Sequence, residues 1–414
     1  KVSMSLKGKR LKKTLKRILK KKLSQNKILT IHLAVKIEGE SMRLLWSSDH
    51  HALHNNTPTA HMLRNLSTFL TVDNSLKETD MVVFGGDFFD KLVDSPNPDM
   101  YRTHKWTRRF LDQCKKENPD IKVIWLEGTS SHDWGQPKTL MNLVPEGLDV
   151  RYIDTLSIEY FKEFDNLSVM YVPDNMGSLT PDQIWELALE RLANEGLERV
   201  DLIFFHGGFE FQLHPSARKQ AHNLERWSSI VKYGIFAGHI HKPVQIGKLY
   251  TSGSFDRVAH GEEHPKGGYV VDLDKSSNYF NAVFYENKGA LPYVTVRVSD
   301  KDGPEEVMKK LKAFIKEKNL PRHSQIRVMG GVAMVVNPIL NVMGREYPNF
   351  GFRAENESKA ETVLTEEIFD ATLYEAKSLT KENIVDSLLP EIEITLMEKG
   401  IDKKEAVKVL EDFL

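Results

Sequence analysis

From residue 42 onward, short apolar runs alternate with stretches whose apolar residues recur at helical spacing, which is the pattern of layered α/β structure. Several runs stop abruptly at polar residues. Arg43-Leu44-Leu45-Trp46 leads into Ser47-Ser48-Asp49, Met81-Val82-Val83-Phe84 into Gly85-Gly86-Asp87, and Lys122-Val123-Ile124-Trp125 into a loop ending Ser131-His132-Asp133. Leu202-Ile203-Phe204-Phe205 leads into His206, and Gly234-Ile235-Phe236-Ala237 into Gly238-His239-Ile240-His241. Ligands of open α/β sheets bind just beyond the carboxyl ends of strands, so these loops are expected to converge on one site.

Helical spacing fills the gaps at about residues 59–71, 99–117, 181–195 and 221–231. Thr180-Pro181-Asp182-Gln183 reads as a helix start, with a capping Thr, Pro in the first turn and Gln at the box position. After His241 the pattern turns to strands around 248–250, 268–271 and 281–284, which suit the second sheet of a sandwich. A boundary is expected near Lys288-Gly289-Ala290, followed by a strand, a helix at about 304–318 and the strand Gln325–Val328, together a small α/β unit. Residues 340–365 show little periodicity and read as linker or irregular structure. Two helical patterns close the chain, one starting at Thr380 and broken at Pro390, the other opening at Asp402 with Val409, Leu410 and Phe413 on one face. The expected partition is a basic extension (1–41), a main α/β domain (42–288), a small α/β domain (289–345), and a linker with C-terminal helices (346–414).

A hydrophobic share of 40% and a charged share of 28% over 414 residues place the chain among packed soluble proteins of more than one domain. No apolar run approaches a membrane span, and a cytoplasmic setting is expected. Cys114 is the single cysteine, which excludes an internal disulfide and a thiolate metal cage and suits a reducing compartment, so any metal must be held by His and carboxylate. The net charge of −1 hides an uneven distribution, because no acid precedes Glu38 while Lys and Arg recur from Lys7 to Lys27. Leu11, Leu15, Ile18, Leu19 and Leu23 form an apolar stripe against those lysines, a pattern that suits nucleic acid or anionic lipid. Against that, Met42 sits directly before the first strand, and Glu38-Gly39-Glu40 back-translates to a purine-rich stretch like a ribosome-binding site. Residues 1–41 are therefore expected to be upstream sequence or a poorly ordered extension.

The chemistry lies in the strand-end loops. Asp49-His50-His51 is a D-x-H in which an extended backbone would put Asp49 and His51 on one side, able to share a metal. Gly86-Asp87-Phe88-Phe89-Asp90 is a G-D-x-x-D whose Asp87 is placed to bridge two ions, and His206, His239 and His241 add three imidazoles. Phosphodiester cleavage needs such residues, because the substrate is anionic and water is a poor nucleophile. Paired divalent ions roughly 3.5–4 Å apart lower the water's pKa and neutralise the phosphoryl oxygens. Mixed His and Asp ligands favour Mn, Fe, Zn or Co over Mg.

This order of motifs resembles the calcineurin-like metallophosphoesterase superfamily over about residues 42–285. The resemblance implies a four-layer α/β/β/α sandwich and two divalent ions, Mn2+ foremost. It would put Asp49, His51, Asp87 and His241 on one ion and Asp87, His206 and His239 on the other. His132 would protonate the leaving oxygen or stabilise charge on the scissile phosphate, oriented by Asp133. The third loop departs from the family's Gly-Asn-His, since Gly128-Thr129-Ser130-Ser131-His132-Asp133 puts Ser131 at the Asn position, where the second ion must use a hydroxyl, a water or nothing. The run Tyr250-Thr251-Ser252-Gly253-Ser254, Arg257, Gly261-Glu262 and Lys266-Gly267 is similar to SbcD-type nucleases of double-strand-break repair, although hairpin chemistry alone also favours these residues.

By this resemblance the small unit would be a capping domain that helps hold DNA. The terminal helices would dock on an SbcC-type ATPase or pack on their own chain, and a homodimer is also compatible. The function expected is a metal-dependent DNA exonuclease or endonuclease of a bacterial or phage-infected cell. A phosphatase or small-molecule phosphodiesterase, and a non-catalytic DNA-binding scaffold with a decayed second ion site, are the alternatives.

Overall fold

A computed structural model describes residues 41–93, 96–174, 179–213 and 220–355. The basic extension over residues 1–40 and the helical patterns after Thr380 lie outside these residues. The body starting at Met42 is a mixed α/β structure with two six-stranded mixed sheets and a third of three strands.

The first sheet begins with β1 (Met42–Ser47), β2 (Met81–Gly85), β3 (Lys122–Leu126) and β4 (Asp149–Ile153), all parallel. Then β11 (Gly267–Asp274) pairs antiparallel with β1, and β12 (Tyr279–Glu286) with β11. This corrects one expectation: of the three strands expected after His241, those around 268–271 and 281–284 complete the first sheet along the open edge of β1, and only the one around 248–250 joins the second. The second sheet has the order β5 (Ser157–Phe161), β6 (Leu167–Val172), β7 (Val200–His206), β8 (Val231–Gly238), β10 (Leu249–Thr251) and β9 (Val244–Ile246). Its inner strands are parallel and its two outermost strands antiparallel.

Alternation along each strand sends side chains to two faces. Leu44 and Trp46 of β1 join Val83 and Ile124 against Val169, Tyr171, Phe204 and Phe236 of the second sheet, forming a shared core. Leu45 points the other way, with Val82, Phe84, Val123 and Trp125, under helices α1 (Thr59–Ser67) and α2 (Pro98–Glu117). On the outer face of the second sheet, Met170, Ile203, Phe205 and Ile235 pack with Ile184, Ala188 and Leu192 of α3 (Pro181–Asn194) and Trp227 of α4 (Leu224–Ser229). The start of α3 is the capping box read from its sequence: Gln183 N donates to Thr180 Oγ1 and Thr180 N to Gln183 Oε1.

The third sheet consists of parallel β13 (Tyr293–Arg297), β14 (Gln325–Met329) and β15 (Gly351–Glu355), packed on α5 (Pro304–Lys318) and α6 (Ala333–Glu346). The stretch read as linker therefore ends a helix and supplies a strand. Its apolar residues, Leu340, Met343, Tyr347, Phe350 and Phe352, were masked by irregular spacing but all join one core. Tyr293 OH lies 2.9 Å from Thr57 Oγ1, and Leu291 N donates to the buried Asp256 carboxylate at 2.6 Å, tying this unit to the loop after His51 and the segment after β10. No helix of the described residues is long and apolar enough to cross a membrane.

Space over the end of β2 is filled by a side chain of the neighbouring strand β1 that lies in the core between the two large sheets. A β-carbon on Gly85 would lie 2.3 Å from Cη2 of the fully buried Trp46. Gly85→Ala is expected to cost about 1–3 kcal/mol through overpacking, read as a lower urea midpoint; an unchanged midpoint would contradict this packing.

Candidate metal centre

The carboxyl ends of β1, β2, β3, β7 and β8 face one another, and the expected ligands leave from them. The D-x-H segment is not extended, contrary to the sequence reading. Asp49 (φ 52°) and His51 (φ 48°) are both left-handed, as are Asp87 (φ 49°) and His239 (φ 89°). Such conformations cost roughly 1–3 kcal/mol each and persist where the surroundings enforce them. Here the enforcement is a zipper beyond the sheet: the amides of Asp49, His50, His51 and Ala52 donate to the carbonyls of Gly86, Asp87, Asp87 and Phe88 at 3.0, 2.9, 3.1 and 2.9 Å. The His239 amide donates to Asp49 Oδ1 at 2.8 Å, joining the second sheet to the same knot. Gly86 allows the approach, with φ 92° and His206 Nδ1 only 2.1 Å from where a β-carbon would sit.

Three groups of potential ligand atoms result, each within 4.8 Å: Asp49, His51 and His241; Asp87, His206 and His239; and His51, Asp90 and His132. The hydrogen bonds on the far side of each ring decide which nitrogens are bare. His206 Nδ1 donates to Gly85 O at 2.7 Å, so its Nε2 faces Asp87 Oδ2 at 3.2 Å without hydrogen-bond alignment. His241 Nδ1 donates to Glu262 Oε1 at 2.8 Å, leaving its Nε2 3.0 Å from His51 Nε2 and 3.9 Å from Asp49 Oδ1. Asp49 Oδ2 is buried and has no partner.

Lone pairs aimed at one another in a buried cleft repel unless a proton or cation lies between them. Burial pushes the His206 imidazole down, but the Asp87 carboxylate outweighs it and holds the ring well above its ordinary pKa. Burial likewise pushes Asp87 up, and His206 more than reverses it. Each group thus favours the other's charged form, and a cation at the same place would favour the Asp87 carboxylate in the same way. His239 is pushed below its ordinary value by burial, which keeps it neutral and able to ligate. Carboxylate and neutral imidazole donors suit a divalent transition ion.

The third loop differs from expectation in two respects. Asp133 does not orient His132: its buried carboxylate accepts from the amides of Phe89 at 2.9 Å and Gly128 at 3.0 Å, which fixes the loop. His132 is oriented instead by Asp90, whose carbonyl accepts from Nδ1 at 2.6 Å, and its ring lies 4.8 Å from that of His51. Ser131 stands one hydroxyl further out, donating to Thr129 Oγ1 at 3.4 Å, while Thr129 N and Oγ1 donate to Asp87 Oδ1 at 2.6 and 2.9 Å. Ser130 and Ser131 separate Thr129 from His132, and it is the position directly after Gly128 that meets Asp87.

Sequence reading named Asp90, Thr129, Glu262 and Lys266 without assigning them roles. Glu262 Oε2 lies 2.8 Å from Nζ of Lys266, and both residues are buried. Burial pushes Glu262 up, but His241 and Lys266 together hold its carboxyl far below the usual range. Lys266 Nζ also donates to His241 O at 3.0 Å and Ser254 Oγ at 2.7 Å, so it fixes both ends of His241. This is the carboxylate–histidine arrangement that orients metal-binding imidazoles. Of the unassigned histidines, His264 donates to His241 O at 2.8 Å. His50 is a core residue among Phe84, Phe88 and Phe255, pushed down to about 3 by burial.

No family model matches the chain, and no curated protein matches it. Among solved structures it is similar to the glutamine-dependent NAD+ synthetase of Acinetobacter baumannii in complex with ADP, at 10% identity over 87% of this chain and 73% of that chain, with a TM-score of 0.28. So low a score carries no argument about fold or chemistry.

Removing the Lys266 ammonium leaves the buried Glu262 carboxylate with only His241 Nδ1, Val258 N and Ser254 Oγ to balance its charge. Lys266→Met is expected to destabilise the metal-free protein by about 3–5 kcal/mol, and Glu262→Gln in the same chain to recover part of that loss. Urea denaturation of the single and double variants measures the coupling, and strictly additive losses would contradict it.

Proposed function

We propose that the chain is a two-metal phosphodiesterase of the calcineurin-like type, an SbcD-like DNA nuclease built on an α/β/β/α sandwich. The observation that carries this reading is the pair of adjacent donor groups, Asp49, His51 and His241 beside Asp87, His206 and His239, with bare atoms directed into the cleft. Two divalent cations held by these groups, with Asp87 shared, would supply charge neutralisation and a more acidic attacking water, and Mn2+ matches the donors. The substrate class follows from that pairing, since an anionic phosphodiester is attacked in line between such sites.

The chain's own residues supply position and protons. Asp90 O fixes His132 through Nδ1, which leaves Nε2 to hold the proton passed to the leaving oxygen. Thr129 restrains Asp87 Oδ1, and Asp133 locks the loop on which both Thr129 and His132 ride. Water is the nucleophile in this reading, because a pair of divalent ions acts by making a bound water more acidic. The small α/β unit and the residues beyond 355 are assigned to holding DNA and to an SbcC-type ATPase partner, in the cytoplasm.

Manganese-dependent digestion of linear DNA, run beside nitrophenyl phosphate, tests the reading. Asp87→Asn and His132→Ala are each expected to lower the rate by about 10²-fold or more, with bound metal reduced only in Asp87→Asn. Chelation should abolish digestion. Cleavage that survives in both variants, or activity on nitrophenyl phosphate alone, would refute the assignment.

A further inference from the structure

An exposed indole stands on the loop that carries His132. Trp134 leaves 61% of its surface in solvent, and its backbone is left-handed at φ 44°. Either feature alone is unremarkable for a loop. Together they are not, because a bulky side chain is a true outlier in that region and strain of this kind gathers at functional sites. A loop that only had to turn would have Gly or Asn here.

The position is also held rigidly. Asp133, just before it, has both carboxylate oxygens bonded to backbone amides. Gly135, just after it, donates its amide to the buried Glu127 carboxylate. Gln136 accepts from Val93 N at 3.2 Å and donates to Lys91 O at 3.1 Å, which clips the segment following Asp90 against the segment bearing Trp134. Between those two bonds lies Leu92, itself 55% exposed. The backbone under two exposed apolar side chains is thus held on adjoining loops, two residues after His132 in one case and two after Asp90 in the other.

We propose that the Trp134 indole stacks on a nucleobase next to the phosphodiester engaged at the metal centre, so that the substrate is a nucleic-acid strand whose bases are unpaired at the point of cleavage. This rests on the phosphodiesterase reading and extends it to a substrate class. A rigid ring loses little freedom on binding, and every base presents a π face, so the contact sets strand position without selecting sequence. A phosphatase or a diesterase for small base-free esters has no use for it.

Binding in EDTA tests the proposal apart from cleavage. Two labelled oligonucleotides of equal length are compared by fluorescence anisotropy, one oligothymidylate and one with the same backbone carrying abasic sugars. The native protein is expected to bind the base-bearing strand about ten-fold more tightly, a factor within the range for one stacked base. Trp134→Ala should bind both strands alike, and Trp134→Phe should keep most of the preference. Equal or absent binding by the native protein, or a preference that survives Trp134→Ala, overturns it. A protein that prefers bases in EDTA but cuts neither strand with manganese would sink the phosphodiesterase reading while supporting the stacking contact.

Discussion

Imidazole and carboxylate groups converge on one cleft with several of their atoms left without a protein hydrogen-bond partner, and that electrostatic conflict governs the surrounding structure. Asp49 Oδ2, His51 Nδ1 and His206 Nε2 are buried without a hydrogen-bond partner, the last 3.2 Å from Asp87 Oδ2, while the Nε2 atoms of His51 and His241 share a hydrogen bond at 3.0 Å. Packing that neither removes nor pairs such atoms costs stability, and a fold tolerates it where a bound cation restores the balance. The left-handed backbones of Asp49, His51, Asp87 and His239 are part of the same arrangement, because relaxing any of them would turn its side chain out of the cleft.

Rigidity around the cleft comes from polar groups whose hydrogen-bonding atoms are committed to the loops that carry the candidate ligands. Asp133 closes its loop with two amides, Glu262 and Lys266 clamp His241, and Asp90 spends its carbonyl on His132. Arg257 extends the clamp: its guanidinium donates to the carbonyls of Glu262 and Ala290, so the segment behind His241 is tied to the small α/β unit. Movement of that unit would reach a candidate metal ligand through this link.

Much of this was legible in the chain. Apolar runs ending in His and Asp located the strand ends, since strand length and polarity change are local properties, and the convergence of five loops followed from how open α/β sheets bind ligands. What stayed hidden depends on partners distant in sequence. The left-handed Asp49 and His51 owe their shape to carbonyls of residues 86–88, which no local pattern around them reveals. Asp133 beside His132 looked like its orienting group, but its carboxylate points inward to Phe89 and Gly128, and only the folded loop shows which side it takes. The strand at Gly351–Glu355 was missed because its parallel pairing with β14 is supplied by the tertiary structure.

Anomalous diffraction at the manganese edge, from crystals equilibrated with the ion, would test the central claim most directly. Two peaks are expected, one among Asp49, His51 and His241 and one among Asp87, His206 and His239. A cleft without anomalous signal, with manganese only at surface carboxylates, would contradict the account.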